Sequence, residues 1–180
     1  MAETKIISDI HKISRSTSSV YNFLSDFSKL GLLYDKLSNI SEQELAMMSQ
    51  QTGAKGSGNM ADDLIKFKEG LSMIEHFEAT NDSCSFVVKG IDLIFRMEER
   101  ESNKMIKIVG EGKMPIKPVF WIQLIDKGPY DTRIRLTLHF TMNMMFKMMI
   151  KMKFKKQLSD ENIKEGLNKL AQGLTKLPYM

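Results

Sequence analysis

Three histidines, His11, His76 and His139, are the natural starting point for acid–base or metal chemistry, and their spacing supports neither. Protein metal sites draw their ligands from close sets such as His-x-x-x-His, and no grouping of His, Asp and Glu at that spacing occurs. Glu98, Glu99 and Glu101 alternate with Arg96 and Arg100. Two carboxylates can divide an acid and a base role, yet opposite charges at this spacing on a strand are expected to pair with neighbouring strands. Cys84 stands in an apolar row without a basic neighbour, which suits a small buried hydrophobe and not a nucleophile. Gln123 is the polar interruption of an apolar stretch, so its amide must find a partner in backbone or ligand. Gly53, Gly56 and Gly58 lie in a stretch, 52–59, that lacks the GxxxxGK[ST] spacing of a phosphate cradle and reads as a loop. The expectation is no catalytic residue, no metal and no cofactor.

The elements that position these residues follow from periodicity. Lys5–Ser14 reads as a strand with Ile6, Ser8 and Ile10 on one face. Ser16 suits the N-cap of a helix carrying Val20, Phe23, Leu24 and Phe27, broken near Ser25-Asp26 and resuming to about Leu33, with Gly31 weakening the second piece. Ser41-Glu-Gln-Glu44 fits a capping box that starts a helix through Met48, and 61–70 suits another turn or two.

From Leu71 onward the period is two. Leu71–Ala79, Ser83–Val88, Ile91–Glu98 and Lys104–Glu111 read as strands, with turns at Thr80-Asn81-Asp82, Lys89-Gly90 and Ser102-Asn103. Pro115 and Pro118 flank an irregular connection. Val119–Asp126 is apolar on both sides, as in a strand covered on both faces. After a Lys127-Gly128-Pro129 turn, Ile134, Leu136, Leu138, Phe140 and Met142 alternate strictly with polar residues.

Met142–Leu177 then reads as one long helix. Ile163, Leu167, Leu170, Leu174 and Leu177 step by four, three, four and three, and Pro178 follows where a helix can end. Ahead of them Met145, Met149 and Met152 form a second apolar row, beside a lysine stripe of Lys147, Lys151 and Lys155. Strands followed by a separate helix give an α+β arrangement, one sheet around one long helix.

Composition narrows the class. At 180 residues a single domain (1–180) with a flexible insertion at about 41–70 is expected. No run approaches a membrane span and the first residues lack the apolar core of a signal peptide, so a cytoplasmic protein is expected. The net charge of +4 is concentrated: residues 141–180 carry eight Lys against Asp160, Glu161 and Glu165, a balance of +5 that leaves −1 for the rest. With no Arg in that segment, a solvated lysine face is the reading, and nucleic acid is not an expected partner.

Several phrases in order resemble the START-related helix-grip superfamily, also called SRPBCC or polyketide cyclase and lipid-transport-like, and in particular a small bacterial branch of it. They are Ser16-x-x-x-Val20-Tyr21 leading to Leu24-Ser25-Asp26-Phe27, then Asp82-Ser-Cys-Ser-Phe86, Phe120-Trp-Ile-Gln-Leu124, Arg135-Leu-Thr-Leu138 and Lys164-Glu-Gly-Leu-Asn-Lys-Leu170. The resemblance spans residues 4–37 and 71–178. It implies a curved seven-stranded antiparallel sheet gripping the C-terminal helix, two short helices after the first strand, and a cavity between sheet and helix for lipid-like or polyketide-like molecules. Members include binding modules and cyclase or aromatase enzymes, without a shared catalytic motif. Relative to that branch, the chain is longer at 41–70 and, by about two turns, around Met152–Glu161.

The apolar rows supply the cavity candidates: Phe86, Phe95, Met97, Ile106, Leu136, Leu138 and Phe140 on the strands, with Gln123 as the polar member. Met145, Met149 and Met152 join them from the helix, unbranched thioethers that re-pack around varied shapes. The leading expectation is a binding or carrier module for a small apolar ligand. The alternatives are a membrane-surface or protein adaptor working through the basic segment Phe146–Lys156, and a cyclase-type enzyme resting on Gln123 and Tyr21.

Overall fold

A computed structural model describes residues 2–44, 47, 68–112, 116–153, 159–177 and 179. The expected loop at 52–59, and most of the helical turns expected at 41–48 and 61–70, lie outside those residues. Strands β1 (Ala2–Ile7) and β2 (His11–Ile13) precede helices α1 (Thr17–Leu24) and α2 (Phe27–Asn39). Then come β3 (Ile74–Ala79), β4 (Ser83–Val88), β5 (Ile91–Glu101), β6 (Met105–Glu111), β7 (Ile116–Gly128) and β8 (Asp131–Met142), followed by α3 (Met144–Lys153) and α4 (Asp160–Thr175). The strands form one antiparallel sheet in the order β1-β8-β7-β6-β5-β4-β3, with β2 also on β8. The strands from β3 to β8 are joined in sequence as a meander.

The sheet has eight strands where seven were expected, because the first strand is interrupted. Ile7 pairs with Thr137 and His11 with Ile134, so four steps on one side meet three on the other. That extra residue is a bulge. Ser8 holds it together: its N–H donates to the Leu136 carbonyl, and its Oγ accepts the Leu136 N–H, both at 2.9 Å. The bulge carries Ile10 out to solvent and turns Ile13 into the core.

Local signals explain the helix starts. Ser16 accepts the Ser19 N–H at 3.3 Å and caps α1. Asp26 accepts the Ser28 N–H at 2.9 Å and caps α2, which runs six residues beyond the expected end. Gly31 does not cut α2 short; it lets the helix approach β3, since a Cβ there would lie 3.3 Å from the Ala79 Cβ. Ser41 and Glu44 form the reciprocal capping box, Glu44 Oε2 accepting the Ser41 N–H at 2.9 Å and Ser41 Oγ the Glu44 N–H at 3.2 Å. Pro118 lies inside β7, contrary to expectation. The ladder to β6 ends at Val119, so a proline beyond it leaves no β6 partner unpaired.

The C-terminal run is two helices. Ser159 has an extended backbone and accepts the Asn162 N–H at 3.2 Å, so α4 starts afresh there. The helix held by the sheet is α4, lying along β1, β2 and β8. Leu167 and Ala171 are buried, whereas Leu170, expected on the apolar face, is half exposed. Beyond α4 the chain folds back. Tyr179 is buried, donates its hydroxyl to the Leu174 carbonyl at 2.6 Å and sets its ring edge-on to Phe23 at 5.3 Å. No helix among the described residues is long and apolar enough to cross a membrane.

Candidate functional site

Alternation along the strands assigns each side chain to one face of the sheet. Across β6, β7 and β8 the partners Ile106, Ile122 and Leu136 align, as do Ile108, Phe120 and Leu138 one step away. The first row is buried and the second is only partly covered. The same division recurs on β5, where Met97 is 4% exposed and Phe95 half-buried, and on β4 with Cys84 and Phe86. One half of this concave face is thus sealed by α1, α2 and α4, whose Val20, Leu24, Phe27, Leu167 and Ala171 share its core cluster. The other half is apolar but open.

The open half carries a chain of aromatic rings. Phe77 stacks on Phe86 at 5.9 Å, Phe86 on Phe95 at 5.9 Å, and Phe95 meets Phe120 edge-on at 6.1 Å. The last contact bridges β6, where the residue opposite Phe95 is Gly110, without a side chain to intervene. At the far end Tyr34 of α2 stacks on Phe77 at 4.7 Å, and its hydroxyl donates to the Ile74 carbonyl at 3.0 Å. Such offset and edge-on contacts suit the ring quadrupole, and half-covered rings leave apolar area to offer to a ligand.

The expected cavity residues therefore separate. Met97, Ile106, Leu136 and Phe140 are buried in the core, at 8% exposure or less. Phe86, Phe95 and Leu138 are on the open half. Gln123 does not join them: odd positions of β7 face outward, and its Oε1 accepts the Arg135 Nε–H at 2.8 Å on the convex side. Met145, Met149 and Met152 do not line the concave face either. They are 79%, 49% and 85% exposed on α3, because the helix break at Ser159 separates them from α4. Phe77 and Tyr34 escaped sequence reading, Phe77 because it sits beside a bulge at which His76 has φ of 53°. Period-two counting fails across such a bulge.

The charged residues do structural work. Arg96 pairs with Glu111 at 2.6 Å, and Lys107 with Glu98 at 2.7 Å and Glu99 at 3.3 Å, across β5 and β6. The hydrogen bond from Lys107 holds the Glu98 carboxyl below its ordinary range. Lys107 also lies 5.9 Å above the Trp121 ring, shielding an outward aromatic. Arg100 donates to the Ser25 and Asn81 carbonyls and to Asp82, closing an open polar cleft of about 360 Å³ between the α1–α2 junction and the β3–β4 turn. Burial pushes the Cys84 thiol up to about 11, so it is protonated near neutral pH. Among the described residues no cluster of three or more His, Cys, Asp or Glu side chains could hold a metal ion.

No protein-family model matches the sequence, and no curated protein is significantly similar to it. Solved structures are similar to it in fold. An uncharacterised protein from Bacillus thuringiensis has 13% identity, covers 97% of this chain and 96% of its own, and superposes with a TM-score of 0.50. The protein XoxI from Bacillus cereus has 13% identity, 99% and 96% coverage, and a TM-score of 0.50. Norcoclaurine synthase from Thalictrum flavum, in complex with dopamine and hydroxybenzaldehyde, has 9% identity, 96% and 88% coverage, and a TM-score of 0.51. Sheet, paired helices and gripped C-terminal helix together give this chain the helix-grip fold that it shares with these structures.

Proposed function

We propose that the protein binds a small hydrophobic molecule on the open half of its concave face, as a binding or carrier module. One observation carries the reading: Phe86, Phe95, Phe120 and Leu138 are half-buried on a face whose other half is sealed. Apolar area left uncovered inside a concave surface is stabilised by a ligand that removes it from water. The ring chain favours a ligand with a flat or aromatic part. Norcoclaurine synthase, similar in fold, is seen with dopamine and hydroxybenzaldehyde, two aromatic molecules. Cys84, the lone cysteine, is a free buried thiol and suits a reducing compartment such as the cytoplasm. The cyclase reading loses one of its two polar candidates, since Gln123 is engaged by Arg135 on the opposite face, while Tyr21 is half-buried on α1 against the core.

Native mass spectrometry of freshly purified protein, followed by organic extraction, tests the proposal. A stoichiometric adduct released on denaturation is expected, and its mass identifies the ligand class. A bare polypeptide mass, together with failure of the folded protein to bind an apolar fluorescent probe, would overturn it.

A further inference from the structure

We infer that α3 is a docking helix for an anionic lipid surface. Met144, Met145, Met148, Met149 and Met152 fall within about 140° of arc at 3.6 residues per turn. Their exposures run from 49% to 85%, so a continuous apolar face points into solvent. Isolated exposed apolar residues are ordinary, whereas a contiguous set on one helix face marks a contact surface. The helix itself is MMFKMMIKMK, with Lys147, Lys151 and Lys153 and no acidic residue. No Asp or Glu occurs anywhere between Asp131 and Asp160. A helix whose apolar face is flanked by lysines, with no acidic residue in its own sequence, is suited to lie in the headgroup layer of an anionic bilayer.

Charge decides among the occupants of such a face. A second copy of this chain would bring lysines against lysines, with no carboxylate in the helix to pair them. An anionic bilayer supplies both the apolar depth for methionine and the negative charge for lysine. Position adds to the argument: α3 starts two residues after Met142, which pairs with Ile116 at the open end of the concave face. The docking role does not rest on the ligand reading, because it concerns a surface the concave face does not share.

The test is co-sedimentation of the full chain with phosphatidylcholine vesicles, with and without phosphatidylserine, at low and high salt. Binding is expected only with phosphatidylserine, and it should weaken as salt rises. Replacing Lys147, Lys151 and Lys153 by Gln should reduce it by about fivefold per lysine. Met149→Asp should abolish it, while circular dichroism shows the fold intact. Neutralising Lys104 and Lys127, at the opposite end of the sheet from Met142 and α3, should leave binding unchanged. Absence of binding, equal binding to pure phosphatidylcholine, or equal sensitivity to the remote lysines would overturn the inference. So would a dimer in sedimentation velocity that Met149→Asp dissociates, which would make the face a self-interface.

Discussion

Asn168 of α4 and Asp9 of the β1–β2 bulge hold each other twice: the Asp9 N–H donates to Asn168 Oδ1 at 2.7 Å, and Asn168 Nδ2 donates to Asp9 Oδ2 at 3.2 Å. His11 Nε2 lies 3.2 Å from the same Oδ1, and Lys164 approaches Asp9 at 3.6 Å. The bulge that splits the first strand thus supplies the polar latch for the gripped helix. Asn168→Ala is expected to cost about 1 kcal/mol in urea unfolding, the net value of such hydrogen bonds. Asn168→Asp should cost more, because it sets a carboxylate against Asp9. Equal stability of all three proteins would show that the latch contributes nothing.

A second polar link is buried. Thr132 Oγ1 donates to the Arg15 carbonyl at 2.8 Å and lies 2.9 Å from Thr17 Oγ1, tying the start of α1 to β8. With its one proton committed to Arg15, Thr132 accepts from Thr17. Thr132→Val takes this partner from the buried Thr17 hydroxyl and the part-buried Arg15 carbonyl and should destabilise by about 1–3 kcal/mol. Adding Thr17→Val removes one of those two groups, so the double variant should lose less than the sum of the two singles. Strict additivity would contradict the hydrogen bond.

How much of this was legible depended on the range of the interaction that decides each element. Ser16, Lys89-Gly90 and the alternation from Ile134 to Met142 are local signals and read correctly. Lys89 and Gly90 both take positive φ, as a tight hairpin requires. The Ser8 bulge depends on the register of β8, over a hundred residues away, and no local pattern announces it. The break at Ser159 had a local signal, a serine followed by Asp160 and Glu161, but the apolar spacing on either side masked it. Of the proposed site, alternation along the strands already put Phe86, Phe95 and Leu138 on inward-facing rows. It could not separate them from Met97 or Ile106, because which half of the face the helices seal is a tertiary outcome.

Cys84 should make the alkaline limb of stability measurable. Its ordinary value of 9.0 is raised to about 11 by burial, so the folded state holds the proton more tightly than the unfolded chain. The thiol's contribution is therefore complete below pH 9.0, where neither state ionises, and is lost as pH rises through about 11. Urea midpoints of the wild type should fall more steeply over that window than those of Cys84→Ala, whatever the offset between the two proteins. Iodoacetamide should label Cys84 only after unfolding. Rapid labelling of the native protein would contradict the burial.

Phe95 and Met97 are neighbours on one face of β5, yet one borders the open half and the other the sealed core. Substitutions should therefore separate binding from stability. Met97→Ala opens a cavity and is expected to cost about 2–5 kcal/mol, while the protein that remains folded binds an apolar fluorescent probe as tightly as the wild type. Phe95→Ala removes a half-covered ring and should cost about 2 kcal/mol, less than a fully buried phenylalanine. It also deletes the link between Phe86 and Phe120. Probe affinity should consequently drop by about tenfold, equivalent to about 1.4 kcal/mol of ring and apolar contact. If both variants changed affinity equally, binding would follow global stability and the open half would not be the site. Loss of affinity in Phe95→Ala alone would place the ligand against the aromatic chain.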